Sequence, residues 1–370
     1  MTQPIRVLQI FSILNRGGGE SMIMNYYRHI DRSRVQFDFL VHREEPGAYE
    51  EEIKSLGGRI FRIPPITSPV RHARAVHAFF DEHPEFRIIH GHVSELGYFI
   101  YREAAKRHIA CIIAHAHNAR CSLDLKWPFR TLLKRLIRPY ISCGMTCGRD
   151  AARWLFGKKL AASALMLNNA IDALAYRSSD TRRQSVREKM GWQNHWVIGN
   201  VARFSPQKNH HFLIKLFSRV LHRRPDALLV LVGDTQGNTY ESVRSQVEKL
   251  GLTQHVQFLG SRSDVPDLLQ GMDVFCFPSL YEGFGIAILE AEASGLRVIK
   301  SSCIPDDANA VPDLVKALSL KAPLDTWVKA LLGPYERRDT YAEICQAGFD
   351  IAKNARQLQQ FYLDQATPKD

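Results

Sequence analysis

No run of the 370 residues reaches 18 consecutive apolar positions, so no segment has the length and apolarity of a membrane-spanning helix. The opening MTQPIRVLQIFSILN has no basic segment leading into an apolar core and a small-residue cleavage site. It reads as a first strand, not a signal peptide. Cysteine is scarce and unpaired. None of the seven shows zinc-ligand spacing, and Cys143 and Cys147 stand four apart without a second pair. Buried free thiols in a reducing cytoplasm are the expectation. Short repeats and low-complexity tracts are absent too. Acidic charge is short: 38 Asp and Glu face 49 Lys and Arg, a formal net charge of +11.

The surplus is uneven. From Arg102 to Lys159 thirteen Lys and Arg meet three acids, Glu103, Asp124 and Asp150. Such a stretch suits nucleotide phosphates, nucleic acid or an anionic membrane surface, and a solvated face would read the same. The length favours two domains. Apolar runs alternate with amphipathic stretches in both halves. IRVLQIF (5–11), VQFDFLV (35–41), GRIFRIP (58–64), FRIIHGH (86–92) and IACIIAHAH (109–117) read as strands, and GESMIMNYYRHI (19–30) as a helix. The pattern restarts with the strand HWVIGNVAR (195–203) and the helix NHHFLIKLFSRVLHRRP (209–225). ALLVLVGD (227–234) is apolar enough to be covered on both faces, as in a parallel sheet. VQFLG, DVFCFP and RVIKSS continue the series. The alternation predicts an α/β protein with two Rossmann-like parallel-sheet domains facing a central cleft. The boundary falls in the polar DALAYRSSDTRRQSVREK, giving domains 1–185 and 186–349, with an amphipathic helix near the C-terminus.

Ligands of open α/β sheets bind at the carboxyl ends of strands, so those ends hold the candidates. NRGGGE (15–20) lets the backbone approach a ligand closely and offers the N–H groups of the next helix to an anion. In ARFSPQKNHH (202–211), Arg203 and Lys208 straddle a proline turn and can neutralise a diphosphate, one as a fork and one as a point charge. In YEGFGIAILE (281–290), Gly283, Phe284 and Gly285 lead into a helix, with Glu282 on the loop. Glu290 lies about one and a half turns further, among apolar residues. Two such carboxylates can accept hydrogen bonds from two sets of hydroxyls. HGH (90–92) and HAHN (115–118) place four histidines at neighbouring strand ends. No carboxylate or cysteine completes a metal set nearby. A histidine that positions or deprotonates a hydroxyl fits better, and a histidine that merely caps a strand stays open.

Together, RGGGES, AHAHN, DAARWLFG, NNAID, ARFSPQKNHHFLIKLF, LLVLVGD and VQFLGSRSDVPDLLQGMDVFCFPSLYEGFGIAILEAEASGLRVIKS resemble the retaining glycosyltransferases of family 4 with the GT-B fold. The resemblance spans nearly the whole chain and is nearest to the exopolysaccharide and capsule branch. It implies metal-independent, retaining transfer of a hexose or N-acetylhexosamine from a nucleotide diphosphate sugar, a UDP-sugar first, to a lipid-linked glycan acceptor of a surface polysaccharide. No cofactor is implied, and no DxD motif sits where a cation would bridge a diphosphate. By the same resemblance Glu290 binds the donor ribose, Glu282 contacts the transferred sugar, and Arg203 and Lys208 hold the diphosphate. Gly283, Phe284 and Gly285 contact sugar and phosphate through backbone. Gly18 and Gly19 close over the donor, and the base lies near Arg262. His117 is the cleft histidine. Glu282, His117, Arg203 and Lys208 form the catalytic group, and His92, His115 and Asn118 lie on the acceptor side. The C-terminal helix, about 350–366, packs back on the first domain.

Arg297, Ala170 and Asn209 stand where members of that family carry proline, glycine and glycine. Residues 125–142 read as one amphipathic helix bearing Lys126, Arg130, Lys134, Arg135 and Arg138 with Trp127 and Phe129, suited to an anionic inner leaflet. The expected location is therefore cytoplasmic, peripheral at the inner face of the plasma membrane. A UDP-sugar 2-epimerase on the same fold would need further carboxylates in the first domain. A carbohydrate-binding or scaffold protein with an inactive fold is opposed by the intact Glu282, Glu290, Arg203 and Lys208. Nucleic-acid binding would call for interleaved strand aromatics or a recognition helix, which the basic stretch lacks.

Overall fold

The computed structural model describes residues 3–15, 17–117 and 127–366. Arg16, Asn118, Cys121 and Lys126 lie outside the described residues, as does the side chain of Trp127. The chain forms two compact units, residues 1–170 with 350–370, and residues 171–349.

The first unit is built on β1 (Ile5–Phe11), β2 (Val35–Val41), β3 (Ile60–Arg62), β4 (Ile88–Gly91), β5 (Cys111–Ala116), β6 (Cys143–Thr146) and β7 (Leu165–Met166). They form a parallel sheet in the order β3-β2-β1-β4-β5-β6-β7. Tyr26, Tyr27, Phe37 and Phe39 cover one face, joined by Leu358 and Tyr362 of the C-terminal helix Ile351–Ala366. Phe79, Phe80, Ile100 and Phe156 fill the other. Every residue of β2 is buried, even Asp38, whose carboxylate accepts from Arg59 Nη2 at 2.7 Å and Arg59 N at 2.8 Å. A buried charge survives only with such partners.

The second unit is built on β8 (Trp196–Val201), β9 (Ala227–Val232), β10 (Val256–Phe258), β11 (Val274–Phe277), β12 (Arg297–Ser301) and β13 (Val315–Leu318). Its parallel order is β10-β9-β8-β11-β12-β13. Leu213, Phe217 and Trp327 pack on one face, and Leu268, Met272 and Ile288 on the other. β9 is buried throughout, as its composition requires.

The boundary differs from the expected 185/186: the chain changes unit at 170/171. The polar stretch is not a linker but the helix Asp180–Met190, which lies on the second unit. Arg183 Nη1 donates to Met272 O at 2.7 Å, and Trp192 just beyond is fully buried. A charged composition here marks a helix held by arginine contacts to carbonyls and to Asp273.

The basic stretch is also shorter as a helix than expected. It runs over Trp127–Leu136, and a 3-10 turn, Arg138–Tyr140, follows at Pro139, whose missing N–H cannot continue an α-helix. Phe129 and Leu132 are each 52% exposed and Leu136 38%, a stripe on one face. Arg130 turns to Glu95, with Nε 2.9 Å from Oε1, and Lys134 Nζ lies 4.7 Å from the Trp154 ring centroid. Arg135 is exposed beside the stripe.

In each sheet the strand order reverses beside the first strand, β2 and β4 flanking β1, and β9 and β11 flanking β8. Crevices at the carboxyl ends of such strands receive ligands. Residues 17–20, 202–209 and 280–285 follow these strands, and His90 and His92 lie at the end of β4.

Candidate active site

In the second unit, β8 and β11 lie side by side and their following loops are fastened together. Leu280 N donates to Gln207 O at 2.8 Å, and Gln207 Nε2 donates to Tyr281 O at 2.8 Å. Asn209 sits at φ +56, the left-handed region, and its Nδ2 donates to Pro278 O at 3.1 Å. Asparagine is the side chain that best tolerates this backbone, so the departure from glycine at this position keeps the loop geometry and adds a tie.

The fastening brings Lys208 to Glu282, with Nζ 2.6 Å from Oε1, while Gln207 Nε2 reaches Oε2 at 3.3 Å. Both side chains of the ion pair are largely enclosed, at 15% and 8% exposure, and the ammonium lies 4.9 Å from the Phe277 ring centroid. Arg203 is exposed and lines a pocket of about 380 Å³ with Phe204, Gln207, Asp234, Gln236 and Tyr281. The pocket therefore opens beside the ion pair. Gly233 lets the turn after β9 press against this loop: a β-carbon there would stand 2.0 Å from Ala202 O.

Gly285 precedes the helix Ile286–Ala293 at φ +88, which a side chain would resist. Gly283 is exposed, and Phe284 is buried against Phe349 with ring centroids 5.7 Å apart. Phe284 thus anchors the turn through its ring and leaves only backbone for a ligand. Glu290, on the helix, is half-buried and accepts from Tyr176 Oη at 2.9 Å. Burial pushes its carboxyl up to about 7 despite that bond. Glu292, fully buried, accepts from Ala310 N at 2.9 Å and is pushed by burial to about 8. Arg262, on the turn after β10, spends its fork on Asp264 at 2.6 and 2.8 Å.

In the first unit, Gly18 and Gly19 open the helix Gly18–His29. A β-carbon on Gly18 would touch nothing, whereas one on Gly19 would lie 3.4 Å from Cε1 of His117. His117 is half-buried at the end of β5, and burial lowers its imidazole to about 4. His115 is fully buried and stacked on His117. It has no surface for an acceptor, which corrects its expected place on the acceptor side. The cause is where the strand ends: position 115 is still within β5, and only 117 clears it. His92 is half-buried, with both ring nitrogens engaged by Gln9 and His117. Asn118 lies outside the described residues.

Sequence reasoning missed Tyr176, Gln207, Gln9, His90 and Tyr362 as partners of the site. Only His90 carried a signal, as the first histidine of HGH. The others meet their partners across 75 to 353 positions, in segments whose local pattern predicts only a helix, loop or strand.

Two Rossmann-like parallel-sheet units are the architecture of the GT-B class of glycosyltransferases, whose solved structures this chain matches. Residues 182–329 match the family model described as "Glycosyl transferases group 1". The chain is 35% identical over 378 residues to the putative glycosyltransferase EpsF of Bacillus subtilis, covering 99% of this chain and 98% of that protein. It is 21% identical to the capsular polysaccharide biosynthesis glycosyltransferase CapH of Staphylococcus aureus, covering 97% and 99%. Among solved structures, Anabaena HepE in complex with UDP and glucose superposes with a TM-score of 0.79 at 19% identity, covering 97% and 100%. The chain belongs to the group 1 glycosyltransferases.

Proposed function

We propose that the chain is a retaining, metal-independent glycosyltransferase of surface polysaccharide synthesis. It would transfer a hexose or N-acetylhexosamine from a UDP-sugar to a lipid-linked glycan acceptor. The observation that carries the reading is the enclosed Lys208–Glu282 pair beside the Arg203 pocket, with Glu290 on the helix that follows the Glu282 loop. The naming of EpsF and CapH relatives supports the pathway. UDP is supported by HepE, solved with UDP-glucose, and by a 23% identical Escherichia coli relative named as a UDP-Gal-dependent galactosyltransferase acting on a diphosphoundecaprenol glycan.

In this reading the donor diphosphate enters the Arg203 pocket and draws the Lys208 ammonium from Glu282. Arg203, Lys208 and backbone N–H groups around Gly283 and Gly285 then carry the charge that develops on the leaving diphosphate. Glu282, released, accepts hydrogen bonds from the transferred sugar, and Glu290 accepts from the ribose. The anomeric carbon–oxygen bond to the diphosphate breaks as the acceptor oxygen bonds the same face. The acceptor proton passes to the departing phosphate oxygen. Glu282 is no covalent nucleophile here, because the acceptor oxygen itself attacks the face from which the diphosphate leaves. The exposed stripe on Trp127–Leu136 would lie on the anionic inner leaflet that carries the acceptor.

A thermal-shift screen against UDP-, GDP- and ADP-sugars tests the reading, followed by turnover with the hit and product anomer assignment by NMR. Stabilisation by a UDP-sugar, with retained configuration and activity that survives EDTA, is expected. No shift and no hydrolysis with any donor would leave an inactive scaffold.

A further inference from the structure

Four histidines meet at the ends of β4 and β5. His90 and His92 are two apart, as are His115 and His117, and strand alternation turns all four to one face. They form two layers. His90 stacks on His92 with centroids 4.4 Å apart, and His115 on His117 at 4.1 Å. Within a layer the rings meet edge to edge. His90 Nε2 is 3.2 Å from His115 Nδ1, with the rings 9° from parallel, and His92 Nδ1 is 2.8 Å from His117 Nε2.

Ring nitrogens of His90, His92 and His115 lie within 4.8 Å of one another, close enough to raise the question of a metal. The layering answers it. An imidazole binds an ion in its own plane, along the nitrogen lone pair. Here the facing nitrogens of each layer point at each other, and a point between the layers lies off every plane. Each facing pair instead shares one proton. The arrangement is two hydrogen-bond relays.

Gln9 sets their direction. Its Nε2 donates to Tyr362 Oη at 3.3 Å, so its Oε1, 2.9 Å from His92 Nε2, must accept. His92 therefore carries its proton on Nε2. Burial holds His92 well below its ordinary pKa, so the ring is neutral and Nδ1 is a bare acceptor. His117 then donates through Nε2, which leaves Nδ1 with a lone pair at the outer end of the relay. The second relay runs from the Tyr362 hydroxyl to His90 Nδ1 at 2.6 Å, then from His90 Nε2 to His115 Nδ1. Flipping the Gln9 amide would reverse both. His92 cannot turn to compensate, because a half-turn would put Cδ2 and Cε1 where Nδ1 and Nε2 meet His117 and Gln9.

We propose that Gln9 and His92 are positioning residues that hold His117 as the Nε2–H tautomer. His117 Nδ1 is thereby fixed as an acceptor for a hydroxyl of the sugar substrates. The second half of this statement rests on the assignment of His117 to the transferase site; the tautomer does not.

The test is NMR of the full chain carrying ring-15N histidine, with His117 assigned from a His117→Asn variant, combined with kinetics. Native protein at pH 7 should show His117 Nε2 protonated and Nδ1 bare. Gln9→Leu removes the acceptor and should scramble the tautomer, lowering kcat by at least about tenfold with donor KM little changed. Gln9→Glu keeps an acceptor at Oε1 and should recover the tautomer and part of kcat. Nδ1–H on native His117, a Gln9→Leu spectrum identical to the native one, or a stoichiometric metal in the purified protein would each overturn the relay. A scrambled tautomer with kcat unchanged would leave the relay standing and overturn the role of His117 in transfer.

Discussion

Glu290 and Glu292 lie two positions apart on one helix, and burial raises both carboxyls, yet they are built differently. Glu292 meets backbone N–H groups of the loop that follows β12, a structural tie. Glu290 meets one phenol, Tyr176, and keeps capacity for further hydrogen bonds. A carboxyl raised from about 4.5 to about 7 contributes stability that is complete below 4.5 and lost as pH rises through 7. Glu290→Gln removes that loss. The variant should match the native protein near pH 4.5 and exceed its unfolding free energy by about 1–2 kcal/mol at pH 8, while binding a UDP-sugar more weakly. Urea unfolding at the two pH values, with donor titration, checks both. A gap independent of pH would mean that the carboxyl titrates normally. Donor affinity left untouched would remove Glu290 from the ribose.

At the scale of elements, hydropathy made the strands and their parallel stacking legible, because a strand such as ALLVLV has no alternative to burial on both faces. The glycines of YEGFG and the cations of ARFSPQK were legible as loop ends for the same reason. Their contact was not: Lys208 and Glu282 are 74 positions apart, and only the adjacency of β8 and β11 joins them. The paired HxH spacing foretold a histidine cluster. Gln9 and Tyr362, which polarise it, look like an ordinary strand residue and an ordinary helix residue. The helix Trp127–Leu136 illustrates the opposite error. Its charges read as a basic face, but Arg130 and Lys134 turn inward and the exposed feature is Phe129, Leu132 and Leu136 with Arg135 beside them. Burying one such side chain in a lipid interface is worth about 1.5–3 kcal/mol. Leu132→Asp should therefore weaken co-sedimentation with anionic liposomes by roughly tenfold or more, with the fold intact by circular dichroism. Native binding that ignores anionic lipid would discard the docking idea.

At the scale of the molecule, the two units respond to acid with opposite sign. In the first, burial lowers His42, His72, His90, His92, His115 and His117. A histidine lowered in the folded state contributes stability present above its unfolded value of about 6.5, lost as pH falls toward the folded value. At pH 5.5 the loss is about 1 kcal/mol for each histidine whose folded value lies near 4 or below, as for His42, His90 and His117. The second unit holds one such group, His210, and two raised carboxyls, Glu290 and Glu292, which contribute more as pH falls from 8 toward 4.5. Moving from pH 7.5 to 5.5 should therefore lower the unfolding free energy of residues 1–170 and 350–366 by several kcal/mol relative to residues 171–349. Calorimetry should show the transitions separating, and hydrogen exchange at pH 5.5 should place the early loss in β1, β4 and β5. If the second unit opens first, or both shift together, the histidines are charged in the folded protein or are not enclosed as a group. The two relays around His92 would then lose their basis, because each requires neutral rings.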